Sequence, residues 1–311
     1  MKLPFQLKTS AEFDAAGFGT NAVDHLIRVP EYPAHNSKIK LSGYTQAAGG
    51  EIASTMMGLR RLGMKTAYAG RFGSDPAGAI GLTSLSEAGV DVTNCETVAD
   101  AQTQIAFIVV DERTGERTII WNRDDILAYA ADEAPVHLAT RAKVLHMTPH
   151  DVAACTEMAL SARASGVIVS VDIDNAIGGI EHLLPLVDVC IGSADLPKLL
   201  TGISDIHLAL ADIVDRYGCA VTGVTNGAKG SLFYCDGQYF DTPGFEVPGG
   251  CIDTTGAGDA FRTGFVYGIL TESDVEECAR LGNAVAALKC RAPGARAGLP
   301  DKTELENFLK K

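Results

Sequence analysis

No two of the eight cysteines (Cys95, Cys155, Cys190, Cys219, Cys235, Cys251, Cys278 and Cys290) are spaced as C-x-x-C. That removes the commonest zinc and dithiol arrangements. Most of these cysteines sit in apolar runs, where a free thiol packs as a small hydrophobe. Buried, reduced thiols and a cytoplasmic location are therefore expected. No apolar run reaches membrane-spanning length, and the N-terminal stretch lacks the apolar region of a signal peptide. Internal repeats and low-complexity segments are absent. Basic residues are in short supply: 26 Lys+Arg against 39 Asp+Glu give a formal net charge of -13. Such a surface disfavours nucleic acid as the main partner, although a local cradle can still hold a phosphorylated ligand.

What is present fits a packed globular chain. An apolar fraction of 46% over 311 residues suits one large α/β domain with an appendage. Its most informative stretch is Asp253-Thr254-Thr255-Gly256-Ala257-Gly258-Asp259-Ala260-Phe261-Arg262-Thr263-Gly264-Phe265. The spacing of Phe261, Phe265, Val266, Ile269 and Leu270 predicts a helix from Ala260 to Leu270, so a glycine-rich turn feeds a helix start. Gly256 and Gly258 permit backbone angles that side chains forbid. Free N–H donors of Ala257, Gly258 and Asp259 then make an anion site. No Gly-Lys-Ser/Thr follows, so this is not a Walker A loop. A carboxylate beside an anion cradle is a poor phosphate ligand. Asp259 reads either as a helix cap or as a general base for a substrate hydroxyl.

The run from Asp253 to Gly264 resembles the second signature of the PfkB (ribokinase-like) carbohydrate kinases, D-T-x-G-A-G-D-x-F-x-x-G. The resemblance extends over nearly the whole chain. It implies a single ribokinase-like α/β domain over 1–311, with a mostly parallel central sheet, helices on both faces and a small β lid. Lid strands are expected at about 20–47 and 104–121. The resemblance makes Asp259 the catalytic base and Gly256, Ala257 and Gly258 the anion hole for the γ-phosphate of ATP, with Mg2+ carried on the nucleotide. Asp24, just past the first strand (Phe13 to Gly19), matches a sugar-binding Asp. Lys38 to Gln46 reads as a further lid strand. Gly49, Gly50 and Ser54 fall in the first signature, at the start of a helix running from about Ala48 to Leu62. There Ile52 stands where Gly is usual and Ser54 where Asn is usual, which leaves the sugar open.

Asp75 with Pro76 reads as an N-cap and first helical residue. Gln104 to Asp111 and Glu116 to Trp121 read as a hairpin. Arg123 beyond it matches a basic residue that contacts substrate or phosphate in some relatives, and reads equally as an exposed hairpin-end arginine. His150 follows the strand Val144 to Met147, about where relatives place a sugar-contacting acid. The usual N-x-x-E element before Leu199-Leu200-Thr201-Gly202 is missing, with Ser193 and Leu196 in its places. Thr225, Asn226, Gly227 and Gly230 resemble the family's nucleotide turn, and Asn283 faces the nucleotide in relatives. Asp253, with the loop Arg291 to Pro300, matches a monovalent-cation site, which implies possible dependence on K+.

These readings imply ATP-dependent phosphorylation of a hydroxymethyl group on a sugar or sugar derivative. The alternatives are a nucleoside kinase of the same superfamily, or a sugar- or nucleotide-binding regulator without turnover. Lid edges expose unpaired strands, so a homodimer through the lid is expected.

Overall fold

The computed structural model describes residues 1–175 and 177–310. Its strands are β1 (Phe13–Phe18), β2 (Ala22–Val29), β3 (Gly43–Gly49), β4 (Thr66–Ala69), β5 (Arg71–Gly73), β6 (Glu96–Val98), β7 (Ile105–Asp111), β8 (Arg117–Asn122), β9 (Ala142–Met147), β10 (Ile168–Ile173), β11 (Val189–Ser193), β12 (Val221–Thr225), β13 (Ser231–Cys235) and β14 (Gln238–Thr242). Its helices are α1 (Glu51–Arg61), α2 (Pro76–Glu87), α3 (Val136–Ala139), α4 (Val152–Ala164), α5 (Ile180–Leu183), α6 (Leu196–Thr201), α7 (Ile206–Tyr217), α8 (Ala257–Leu270), α9 (Val275–Lys289) and α10 (Lys302–Leu309).

Strands such as Ile168–Ile173 are buried at every position, as a parallel strand covered on both faces must be. They assemble into one sheet of order β14-β13-β12-β11-β10-β9-β1-β4. It is parallel from β12 to β4, and the β13 and β14 edge is antiparallel. One face packs on α1, α8 and α9 through Ile52, Met56, Phe261, Phe265 and Val285. The other packs on α4 and α7 through Cys155, Met158, Ala159 and Ile213. The chain leaves β1 for β4 on one side and returns to β9 on the other. That reversal opens a crevice at the carboxyl ends of the strands, where ligands of α/β sheets bind.

A separate sheet, β3-β2-β7-β8, forms the expected lid. Its register sets Asp24, Ala47, Ala106 and Trp121 in one cross-strand row. Side chains alternate faces along a strand. Asp24, Leu26, Ile108, Trp121 and Arg117 therefore share one face, and His25, Tyr44, Phe107 and Ile120 share the other.

Three expectations change. The third lid strand is Gly43–Gly49 rather than Lys38 to Gln46. The partner strand β2 ends at Val29 before Pro30, so Ile39 and Leu41 have nothing to pair with and are exposed. The helix expected from Ala48 starts at Glu51, because Ala48 and Gly49 still pair with β2. The central helix begins three residues earlier than its apolar spacing suggests, at Ala257, capped by Gly256. Of the eight cysteines, Cys251 is exposed, Cys95 is half-buried and the other six are buried; all are free thiols.

Candidate active site

The turn that opens α8 shows why its glycines are needed. Gly256 sits at φ 72, and a Cβ there would lie 2.7 Å from Ala295 Cα. Backbone cannot yield as a side-chain tip can, so only glycine fits. Ala257 donates its N–H to Thr254 O at 3.1 Å. This corrects the expected donor set: among the described residues Gly258 and Asp259 keep N–H groups without a backbone partner, and Ala257 does not. A Cβ on Gly258 would come within 2.7 Å of Arg262 Nη1, so a guanidinium lies against the cradle.

Asp259 is half-buried at the first turn of α8. Burial pushes its carboxyl up to about 7; the Glu51 carboxylate adds to the rise and Arg262 opposes it. Its backbone is fixed by the crossing of α1 and α8. Asp259 O accepts from Thr263 Oγ1 at 2.9 Å and from Thr55 Oγ1 at 3.3 Å. Gly58 lets the helices approach, since a Cβ there would meet Thr263 Cγ2 at 2.7 Å.

Asp24 is buried, and burial raises its carboxyl to about 6 against the pull of Arg296. Gly49 and Gly50 make its place. A Cβ on Gly49 would overlap the Asp24 carboxylate, and one on Gly50, at φ 88, would overlap Asn21. Ser54 lies on the buried side of α1 and accepts from Arg296 Nε at 3.1 Å. Arg296 also donates to Gly49 O and, at 3.0 Å, to Ser84 Oγ. The first-signature residues and Asp24 are thus drawn together around a buried arginine from the C-terminal loop.

A second charged group flanks Asp259. Arg262 is 2% exposed; its Nη2 lies 2.5 Å from Asp172 Oδ1 and 3.7 Å from Asp174 Oδ1, both at the end of β10. Burial, resisted by Arg262 and reinforced by Asp174, Glu51 and Asp259, pushes Asp172 up. Among the described residues Arg262 Nε has no hydrogen-bond acceptor, whereas Nη2 is engaged by Asp172. Glu51 accepts from Thr20 Oγ1 at 3.1 Å and lies 3.3 Å from His150 Nε2. Burial works against the Glu51 carboxylate, but His150 and Thr20 hold it below the usual range. The Trp121 ring stands edge-on to His150, with 6.3 Å between centroids.

Arg123 makes a two-point contact with Asp151, at 2.8 and 2.7 Å, and donates to Leu127 O. Thr225 ends β12 at the carboxyl edge, and Asn226 and Gly227 are exposed beyond it. Gly230, at φ 101, lets the β12–β13 turn close against Thr242 O. Asn283 is buried and spends its amide on Ser231 Oγ, Thr242 O and Pro243 O. Asp253 accepts from the N–H groups of Thr255 and Gly294 at 2.8 and 2.7 Å. Arg262, Arg296 and Trp121 went unnoticed as site residues in the sequence. An arginine three residues after a candidate base, on the same helical face, was the available signal for Arg262.

Comparison with known proteins bears on the family and the fold. The family model described as pfkB family carbohydrate kinase matches residues 18–302. The ribokinase of Haemophilus influenzae is 29% identical over 308 residues, covering 94% of this chain and 97% of that protein. Arabidopsis thaliana ribokinase, solved with ribose and ATP, superposes with TM-score 0.82 at 22% identity, over 96% of this chain and 99% of that one. An Escherichia coli protein solved with ATP and Mg2+ gives TM-score 0.82 at 21% identity, over 96% and 99% of the two chains.

Proposed function

The chain belongs to the pfkB family of carbohydrate kinases, and from that premise we propose how its own residues carry ATP-dependent phosphorylation of a sugar hydroxymethyl group. The observation that carries the reading is the juxtaposition of a raised carboxyl, Asp259, with two backbone donors and a buried arginine Nε that have no partner among the described residues. Orphaned donors around a glycine turn fit a polyphosphate. ATP would supply the phosphoryl group, and Mg2+, when bound with it, would neutralise phosphate charge. Among the described residues no three His, Cys, Asp or Glu side chains are grouped to hold a metal. Phosphate oxygens and water would therefore provide most Mg2+ ligands, with the half-exposed Asp174, 3.7 Å from Arg262 Nη2, a carboxylate able to join them.

Asp24 accepts hydrogen bonds from sugar hydroxyls, and Trp121 offers an apolar wall to the ring. Asp259 removes the proton from the attacking hydroxyl. The N–H groups of Gly258 and Asp259, with Arg262, hold the transferring phosphoryl oxygens. The lid excludes water, the competing acceptor. Arg117, on its inner face, donates to Thr254 Oγ1 at 2.8 Å and fastens the lid tip to the loop before the cradle. The test is ADP release from Mg-ATP against ketoses, aldoses, sugar acids, sugar phosphates and nucleosides. A nucleoside hit would keep the chemistry and change the acceptor class. Silence across the panel with ATP still bound would favour a regulator.

The pH dependence follows from Asp259. A base must be ionised, and its carboxyl titrates at about 7. We expect kcat/KM to rise tenfold per unit below about 7 and to level above it. A flat profile across that range would remove Asp259 as the base.

The outer lid face carries exposed Tyr44, Phe107 and Ile120. We propose that it pairs with a second copy, since apolar strand faces left open tend to be covered. Light scattering should give a dimer, and Ile120→Glu a monomer. A wild-type monomer at micromolar concentration would end this proposal.

A further inference from the structure

Resemblance places a monovalent cation at Asp253 and the loop 291–300. The structure puts a side chain there instead. Lys289, the last residue of α9, is fully buried. Its Nζ donates to the main-chain oxygen of Asp253 at 2.8 Å. The Asp253 carboxylate is engaged as well: one oxygen accepts from Thr255 N–H and the other from Gly294 N–H. Ile252 N–H closes onto Cys290 O at 2.9 Å. Gly298 packs so closely on the Lys289 carbonyl that a Cβ would overlap it.

Two loops therefore shut around an ammonium group one residue before Thr254, where the phosphate turn opens. A monovalent cation needs a shell of carbonyl and carboxylate oxygens. Here the Asp253 carbonyl faces an ammonium, and N–H groups point at both carboxylate oxygens. A second positive charge in that low-dielectric space would be strongly repelled. The donor set does not fit K+.

We propose that the Lys289 ammonium is the built-in cation of this loop, so that the enzyme works without an added monovalent cation. The inference rests on the kinase reading above. Its physical role is to hold the Asp253 carbonyl and the two loops in the shape that leaves the Gly258 and Asp259 N–H groups free. The charge is also felt at the substrate carboxylate, since Lys289 is among the groups drawing Asp24 downward. Lys289 is thus a positioning residue; it does not touch the reacting atoms.

The experiment compares KCl, NaCl and tetramethylammonium chloride at equal ionic strength, by two readouts: ADP release and thermal unfolding without substrate. Wild-type turnover is expected to agree across the three salts within about twofold, and its Tm to be the same in each. Stimulation by K+ of about tenfold or more would overturn the proposal. Lys289→Ala removes the ammonium and leaves room for an ion. Its Tm and turnover should fall in tetramethylammonium and recover in KCl, a response that loss of packing alone would not give. A Lys289→Ala protein as stable and active as wild type in tetramethylammonium would also overturn it. If that variant does not fold, the wild-type salt series decides alone. If no acceptor is phosphorylated, the kinase reading fails while the wild-type unfolding series still tests the cation.

Discussion

Asp259→Asn is expected to lower kcat by about a thousandfold, the scale of a lost general base, while ATP affinity stays within about threefold. Asn keeps the side-chain shape and leaves the N–H groups of Gly258 and Asp259 in place, so the nucleotide cradle survives. Steady-state turnover with the best acceptor, paired with ATP titration, measures both. Full activity in the variant would end the mechanism; parallel loss of ATP binding would show that Asp259 is mainly structural. The substitution should also stabilise the protein. A carboxyl whose folded value is raised from the usual 3.8 to about 7 contributes stability below the lower value and loses it as pH rises through the upper one. The gain in Tm over wild type should therefore be absent near pH 4 and reach about 1–2 °C at pH 8, modest because Asp259 is only half-buried. A catalytic group that costs stability in its working form is the expected trade at an active site.

The second large effect is expected at Arg262. Arg262→Met leaves Asp172 buried without its cation, which costs about 3–5 kcal/mol. That is a large part of the roughly 5–15 kcal/mol that holds a domain together. Arg262→Met/Asp172→Asn removes both charges and should recover most of the loss in denaturant unfolding. Turnover should not recover with it. If Arg262, whose Nη1 lies against Gly258, holds phosphoryl oxygens, kcat should remain down by about a hundredfold in the double variant, the scale of one lost oxyanion donor. A stable double variant with wild-type kcat would show that the arginine serves the fold alone.

These two residues illustrate what each level of structure contributes. The Gly256-Ala257-Gly258-Asp259 run announced an anion site in the sequence because its physics is local: positive φ, free N–H groups and a helix start. The alternation of strands and helices was equally local, since a strand such as Ile168–Ile173 must be covered on both faces. Helix caps were written in single residues too. Asp75 accepts from Gly78 N–H, as its position before Pro76 predicts. Asp205 and Gly218 bracket α7 by the same signals, although that helix was not anticipated.

What the sequence could not fix were the long-range partners. Arg123 reads equally as a substrate residue or an exposed hairpin-end arginine, and only the fold shows that Asp151, 28 positions away, holds its guanidinium. Asn283 reads as a nucleotide residue, and only the fold shows that the β13–β14 hairpin also engages its amide. Arg296 and Ser54 lie 242 residues apart and meet only because the C-terminal loop folds back on α1. Lys289 looks like an ordinary helix-end lysine until its ammonium is found under the phosphate turn. Local backbone geometry, encoded over a few residues, determined that this chain opens a helix with a glycine turn beside a carboxylate. Which charges surround that turn was decided by tertiary packing, because burial and pairing depend on segments that the sequence keeps far apart.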